Sequence, residues 1–221
     1  MSLTLHSHPL SSFGWKVLIA LYENGTDFTP LLVKLWDPEA RAAFLALSPI
    51  GKLPVLRDEV LGRTVPESTI ILEYLEQHYP GKRPLFPRDP EALLQARGLD
   101  RFYDLYVHVP MQKIITDCLR PAGQNDAHGV EEAKTLLRRA LDMVEKDMAG
   151  KTWALGEDFS FVDCSAMPAL FYSNVALSFA ETHPLTTAYL TRLKRRPSVM
   201  RTLKEAEPYF HLVPWGGRIQ I

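Results

Sequence analysis

Three short polar segments carry residue types that can hold a thiol or a carboxylate. Ser11 and Ser12 precede a helical pattern, Lys52-Leu53-Pro54 leads into a β-prone run, and Glu67-Ser68 opens a later helical pattern. A hydroxyl can donate to sulfur, and the N–H groups and dipole at a helix start attract a carboxylate. If the Leu53–Pro54 peptide is cis, Leu53 turns its backbone N–H and C=O toward solvent or a ligand. Helix capping would explain the serines and Glu67-Ser68 without a ligand. The choice between capping and ligand binding therefore depends on the elements around these residues.

The elements around these segments alternate between strand and helix over residues 1 to about 79. The first helical pattern stops at Asn24-Gly25, and Pro30 confines the second strand to a sheet edge or a bulge. The predicted strands lie near residues 3–6, 28–33, 55–57 and 61–65, and the helices run to about 24, from 38 to 47, and from 66 onward. This order is βαβαββα, and it predicts a mixed sheet covered by helices.

A second domain follows a proline-rich segment. We place the first domain at residues 1–80, a linker at 81–89 and an all-helical domain at 90–221. Residues 130–144 repeat apolar side chains at helical spacing, and no later run favours a strand. Ser160 and Asp163 form a capping-box pattern, with Phe159 outside it to staple the helix entry. The predicted fold class is α/β plus all-α.

Composition excludes several classes of function. Lys and Arg number 25 against 26 Asp and Glu, so no global charge favours nucleic acid or an anionic membrane. Cys118 and Cys164 stand far apart without metal-ligand spacing, so we expect neither a disulfide nor a metal site. No apolar run has the length of a membrane helix or a signal segment, and we expect a cytoplasmic protein.

Taken in order, these motifs resemble the glutathione transferase family, and the resemblance spans nearly the whole chain. Its most specific parts are residues 50–56, Glu67-Ser68 with residues 70–75, and the capping box at 160–163. The resemblance implies a thioredoxin-like first domain, a helical second domain, and glutathione bound where they meet. It implies that Pro54 is cis and that the backbone of Leu53 pairs with the cysteinyl part of glutathione. It also implies that Glu67 and Ser68 hold the γ-glutamyl end of glutathione. Lys52 would lie near the glycyl end.

The catalytic residue implied by the resemblance is a serine, because no tyrosine precedes Tyr22. Ser11 is our candidate, and Ser12 is the alternative, expected instead to cap the first helix. A free thiol has a pKa of about 8.5, so a hydroxyl that donates to sulfur favours the reactive thiolate. The segment looks like the zeta-class signature, but Phe13 stands where that class has a cysteine. This departure weakens the case for the zeta-class isomerisation of maleylacetoacetate.

The electrophile would be a small molecule. We expect its site in the loop before the first helix and along a long helix from about residue 90 to 118, where Tyr103 and Tyr106 are candidates. Aromatic residues at helical spacing are more often core residues than ligand contacts, so burial habits favour the core alternative for both tyrosines. We therefore expect a glutathione transferase, with a zeta-like isomerase or a non-catalytic binding protein as alternatives. Family resemblance also implies a homodimer, and no metal.

Overall fold

The structure is a computed structural model that describes residues 2–219. The chain divides into two compact units, Met1–Leu85 and Phe86–Ile221, and the division falls within the proline-rich segment 81–89.

The first unit has the predicted βαβαββα order, so its thioredoxin-like topology is confirmed. Strand order in the sheet is β2-β1-β3-β4, with β1 and β2 parallel and the other neighbours antiparallel. The sheet is therefore mixed, as expected. Its elements are β1 (Leu3–Ser7), α1 (Ser12–Asn24), β2 (Thr29–Leu32), α2 (Pro38–Leu47), β3 (Val55–Asp58), β4 (Arg63–Pro66) and α3 (Ser68–His78).

Local sequence explains where these elements end. Gly25 closes α1 in the left-handed conformation, at φ 65°, and its N–H bonds the carbonyls of Leu21 and Tyr22. Asp37 caps α2 by accepting from the N–H of Ala40 at 2.9 Å. The strand that contains Pro30 lies at the sheet edge, where a missing N–H removes no internal ladder bond.

Asp58 anchors the end of β3 to α3. It accepts from the hydroxyls of Tyr74 at 2.7 Å and Tyr79 at 2.6 Å, and from the N–H groups of Val60 and Leu61. Burial alone would raise the pKa of this carboxyl, but the four donors together hold it below its usual value. This network fixes the β3–β4 hairpin against the helix that begins at Ser68.

The second unit is helical in its regular elements. An isolated bridge joins Trp153 and Gly156. The α-helices are α4 (Pro90–Phe102), α5 (Val109–Asp117), α6 (Ala127–Asp147), α7 (Phe161–Ala176), α8 (Pro184–Lys194) and α9 (Pro197–Ala206), followed by 3₁₀ turns at Glu207–Leu212 and Gly216–Arg218.

The single long helix expected from about 90 to 118 is interrupted. Residues Tyr103–His108 form a π-helical turn between α4 and α5, and the N–H of Val109 bonds the carbonyl of Asp104, five residues back. Pro110 has no N–H, and its ring would clash with the carbonyl four residues earlier in a regular α-helix. The wider π turn just before Pro110 accommodates both effects.

The capping box at the start of α7 is confirmed. Ser160 Oγ accepts from the N–H of Val162, and the carboxylate of Asp163 accepts from the N–H of Ser160 at 2.8 Å. Phe159 packs edge-on against Trp153, with ring centroids 5.3 Å apart, and the Arg196 guanidinium lies 3.9 Å above its ring. Most of α7 is buried, so this box fixes the start of the central helix of the unit.

No helix among residues 2–219 combines the length and apolar character needed to cross a bilayer. Both cysteines are free thiols, Cys118 exposed and Cys164 buried.

Candidate active site

The sheet brings the three polar segments to one end of the first unit. His6 of β1 is paired with Val55 of β3, and Val55 is paired with Pro66 of β4. These three residues form one cross-strand row, which spans roughly 10 Å because neighbouring strands lie about 4.8 Å apart. The loop to Ser11 leaves from this end of β1, Leu53-Pro54 enters β3 here, and Glu67 follows β4 directly.

Ser11, and not Ser12, caps the first helix, which corrects our expectation. Ser11 has extended backbone angles, and its Oγ accepts from the N–H of Gly14 at 3.1 Å. Ser12 is the first residue of α1. The loop is held in place by a bond from Ser11 N–H to the carbonyl of His8 and by one from Trp15 Nε1 to the carbonyl of Pro9.

The capping bond leaves Ser11 able to act as a donor. A hydroxyl has one proton and two acceptor lone pairs. In Ser11 the N–H of Gly14 uses one lone pair, and this bond requires no proton from the hydroxyl. Capping and donation to a ligand are therefore compatible in the same side chain.

His8 lies in the same loop, and its Nδ1 accepts from the N–H of Leu10 at 3.1 Å. Burial lowers the pKa of this histidine below its usual value of 6.5. The imidazole is therefore neutral at neutral pH, which agrees with its role as an acceptor.

The Leu53–Pro54 peptide is cis, as the resemblance implies. The side chain of Leu53 packs against a buried cluster of Val33, Phe44 and Val55. Neither the N–H nor the C=O of Leu53 bonds another of the described residues. The backbone of Leu53 is thus held in place while both of its polar groups can pair with a ligand. Lys52 is exposed.

Glu67 has an unusual backbone conformation at the start of α3. Its φ is 67° and its ψ is 116°, which non-glycine residues rarely adopt and which costs about 1–3 kcal/mol. Its side chain makes no capping bond, so helix capping does not explain this residue. Ser68, the first residue of α3, is buried. Strain retained at an uncapped helix start is typical of a ligand site.

A buried lysine connects α1 to the start of α3. Lys16 is fully buried, and its Nζ donates to Thr69 Oγ1 at 2.8 Å. Thr69 follows Ser68 directly, so this bond ties the helix that Ser11 caps to the helix that Glu67 and Ser68 begin. Sequence reasoning missed this contact, because a lysine in a helical pattern is normally a surface residue.

The two tyrosines proposed for the electrophile have different environments. Tyr103 is 2% exposed and belongs to the core of the helical unit. Burial raises the pKa of its hydroxyl far above the usual value of 10. Tyr106 is 50% exposed, so it alone of the pair has a surface that a ligand could contact.

Trp36 is an aromatic residue that the sequence analysis missed. It follows β2, is 66% exposed, and stands edge-on to the His8 ring with centroids 5.7 Å apart. The sequence offered only one signal for this residue, an isolated tryptophan in a segment predicted to be a loop. It borders a surface hollow of about 310 Å³, whose other lining residues are Leu35, Pro38, Arg41, Ala42 and Leu45.

Within residues 2–219, no three His, Cys, Asp or Glu side chains are arranged to hold a metal ion. The chemistry that this arrangement offers is hydrogen-bond donation and anion binding. A thioredoxin-like unit with a cis-proline and an uncapped helix start, followed by a helical unit, is the two-domain arrangement that the resemblance to glutathione transferases implies.

Comparison with known families gives the same assignment. The profile described as "Glutathione S-transferase, N-terminal domain" matches residues 5–83, and "Glutathione S-transferase, C-terminal domain" matches residues 104–197. The chain belongs to the glutathione S-transferase family.

Individual relatives are consistent with this membership. A probable maleylacetoacetate isomerase of Caenorhabditis elegans is 32% identical over 178 residues, which cover 77% of this chain and 78% of the relative. Glutathione S-transferase U25 of Arabidopsis thaliana is 29% identical over a match that covers 92% of this chain and 90% of the relative. A glutathione S-transferase structure from Methylobacillus flagellatus with glutathione bound superposes with a TM-score of 0.83 at 26% identity, covering 91% of this chain and 98% of that one.

Proposed function

We propose that this enzyme is a transferase of the serine type, in which the Ser11 hydroxyl stabilises the thiolate of glutathione for attack on a small electrophile. The observation that carries the proposal is the cross-strand row of His6, Val55 and Pro66, which sets the three ligand-binding segments at one end of the sheet. Glutathione would bind with its sulfur near Ser11, its cysteinyl backbone against Leu53, and its γ-glutamyl group at Glu67 and Ser68. Lys52 would lie near the glycyl carboxylate.

The proposed chemistry is donation without proton removal from the serine. The thiol loses its proton to solvent, and the Ser11 hydroxyl donates to the resulting sulfur anion. The positive end of the α1 dipole, at the helix that Ser11 caps, favours the same anion. The thiolate then forms a carbon–sulfur bond with the electrophile, by addition or by displacement of a leaving group.

The Glu67 and Ser68 side chains are expected to be required for glutathione binding. We predict that the double variant Glu67→Ala with Ser68→Ala loses at least about tenfold in affinity, because hydrogen bonds to charged groups contribute about 1.5–3 kcal/mol each. Isothermal titration calorimetry of glutathione into wild type and variant measures this directly.

The matched control is Glu91→Ala, which removes an acidic residue from the first turn of α4 in the other unit. It should bind glutathione as the wild type does. Equal affinity in the wild type and the double variant would show that the γ-glutamyl end is held elsewhere. No binding by the wild type would reject the transferase proposal in favour of a partner-binding protein on this fold.

A second candidate function is glutathione-dependent isomerisation. It is favoured by the Ser11-Ser12 pair and by the 32% identity to a relative named as a probable maleylacetoacetate isomerase. Phe13 at the position of the zeta-class cysteine argues against it. Assays with a generic aromatic electrophile and with a maleyl keto acid separate the two functions. Turnover of the keto acid alone would favour the isomerase, and turnover of the aromatic compound alone would favour the transferase.

The electrophile is proposed to be small and apolar. Trp36 supports this proposal, since its exposed ring stands against His8, whose carbonyl bonds the N–H of Ser11. In the helical unit Tyr106 stays the candidate for contact with the electrophile. The burial of Tyr103 favours the alternative that this tyrosine is a core residue.

We also propose that the enzyme is a homodimer, which is the assembly implied by family resemblance. Exposed apolar side chains on α4, the π turn and α5 support it, among them Leu94 at 65% exposure, Leu105 and Val109. We predict a mass in solution of twice the 25.1 kDa of one chain. Light scattering after size-exclusion chromatography measures it.

Leu94→Glu should shift this protein toward the monomer, because a charge in a buried apolar interface is costly. Leu136→Glu, at a partly exposed leucine on α6, is the control that should leave the dimer intact. A wild type that elutes with the mass of one chain would contradict the prediction.

We further propose a cytoplasmic role in detoxification of electrophiles. The two free thiols, Cys118 and Cys164, are consistent with a reducing compartment.

A further inference from the structure

Ser7 is a buried hydroxyl beside the proposed catalytic serine. It is the last residue of β1 and is 8% exposed. Its Oγ has no hydrogen-bond partner among residues 2–219. Burying an unpaired hydroxyl destabilises a folded protein, and an alanine at this position would avoid that cost.

Gly14 is the residue that places Ser7 next to Ser11. A Cβ built on Gly14 would lie 2.2 Å from Ser7 Oγ and 3.2 Å from Ser11 Oγ. The two hydroxyl oxygens therefore occupy the same small region, and the absence of a side chain on Gly14 leaves room for both. A serine hydroxyl moves between staggered positions by rotation about one bond, and such a rotation changes the distance between the two oxygens.

Ser11 has one bonding position open to this neighbour. Its oxygen accepts from the N–H of Gly14, which leaves one lone pair and its own proton. If a second donor takes that lone pair, the only remaining bond of Ser11 is donation of its proton. Hydroxyls linked in a chain polarise one another, so the terminal proton becomes a better donor.

We propose that Ser7 is a positioning residue for thiol activation: its hydroxyl donates to Ser11 Oγ when glutathione is bound, so that the Ser11 proton is directed at the sulfur. This inference rests on the proposed function of Ser11. It accounts for a buried polar side chain and a glycine at the same point of the fold. Packing alone explains the glycine but not the hydroxyl of Ser7, since an alanine in place of Ser7 would pack without leaving an unpaired oxygen.

Other titratable groups lie on the elements around Ser7. They are His6 and His8 at the end of β1, Lys16 on α1 and Lys34 after β2. All four remain in every variant described below, so their titration is common to the wild type and the variants. A difference in the thiol pKa of bound glutathione between the wild type and a Ser7 variant is then attributed to the Ser7 hydroxyl.

The test compares Ser7→Ala with Ser173→Ala. Ser173 on α7 is fully buried and, like Ser7, has an Oγ without a partner among the described residues, but it lies in the other unit. The apparent pKa of bound glutathione is measured from the ultraviolet absorbance of its thiolate as a function of pH, and thermal unfolding is followed on the same samples. We expect both substitutions to leave the melting temperature unchanged or raised. We expect only Ser7→Ala to raise the thiol pKa, by about half a unit to one unit, which is a roughly three- to tenfold loss of thiolate below that pKa.

The conservative variant Ser7→Thr keeps the hydroxyl and should retain the thiol pKa of the wild type. A thiol pKa in Ser7→Ala equal to that of the wild type would overturn the inference while leaving the role of Ser11 intact. An equal rise in Ser173→Ala would also overturn it, because the effect would then be unrelated to the site. If the wild-type protein bound no glutathione in the first titration, the proposed function itself would be rejected.

Discussion

Replacing Ser11 with alanine should lower kcat/KM for glutathione conjugation by about 10- to 100-fold. A hydrogen bond to a charged group contributes about 1.5–3 kcal/mol, and each 1.4 kcal/mol is a factor of ten in rate. Without the hydroxyl the thiolate loses its donor, so the apparent thiol pKa rises and the pH–rate profile moves to higher pH. Initial rates with a generic aromatic electrophile, measured across pH, give both quantities.

The same substitution also removes the N-cap of α1, and this effect must be separated from catalysis. Losing the bond from the N–H of Gly14 should cost about 1 kcal/mol of stability. Asp37→Ala is a suitable control because it removes the equivalent capping bond at α2. It should destabilise by a similar amount and leave the pH–rate profile unchanged. Ser11→Thr keeps both cap and donor and should retain most activity.

Ser12→Ala decides between the two serines. Ser12 is not the residue proposed to donate to sulfur, so its replacement should leave the pH–rate profile unchanged. If Ser12→Ala abolished conjugation while Ser11→Ala did not, the assignment of Ser11 would be wrong.

The topology of the first unit was predictable because its signals are local. Gly25 ends α1, Asp37 begins α2, and Pro30 restricts β2 to an edge, each through the backbone of one residue or one short bond. The capping box at Ser160 and Asp163 was predictable for the same reason. In each case the residues that make the contact are neighbours in sequence.

Features that depend on contacts between distant residues were not predictable. The π turn before Pro110 depends on how the surrounding helices accept a wider turn, and the bond from Lys16 to Thr69 joins two helices. The choice between Ser11 and Ser12 as the cap was also missed, because either serine satisfies the sequence preference at that position. Only the backbone angles and the bond to Gly14 distinguish them.

Asp163→Ala should be the most destabilising single substitution considered, at about 3–5 kcal/mol. The carboxylate is fully buried and accepts four hydrogen bonds, two of them the capping contacts with the N–H and Oγ of Ser160. The other two come from the N–H of Ala154 at 2.9 Å and the hydroxyl of Tyr189 at 2.6 Å. Alanine would leave all four donors buried without their acceptor, and each unpaired group costs about 1–3 kcal/mol before relaxation.

The control for Asp163→Ala is Asp89→Ala, which removes an exposed N-cap with one bond to the N–H of Ala92. It should cost only about 1 kcal/mol, since water can replace the lost acceptor. Denaturant unfolding followed by circular dichroism measures both variants. If Asp163→Ala fails to accumulate as folded protein, Asp163→Asn provides the comparison: it keeps one oxygen acceptor and should fall between Asp163→Ala and the wild type. Equal stability losses for Asp163→Ala and Asp89→Ala would mean that the links to Ala154 and Tyr189 contribute nothing, and that α7 depends on its capping bonds alone.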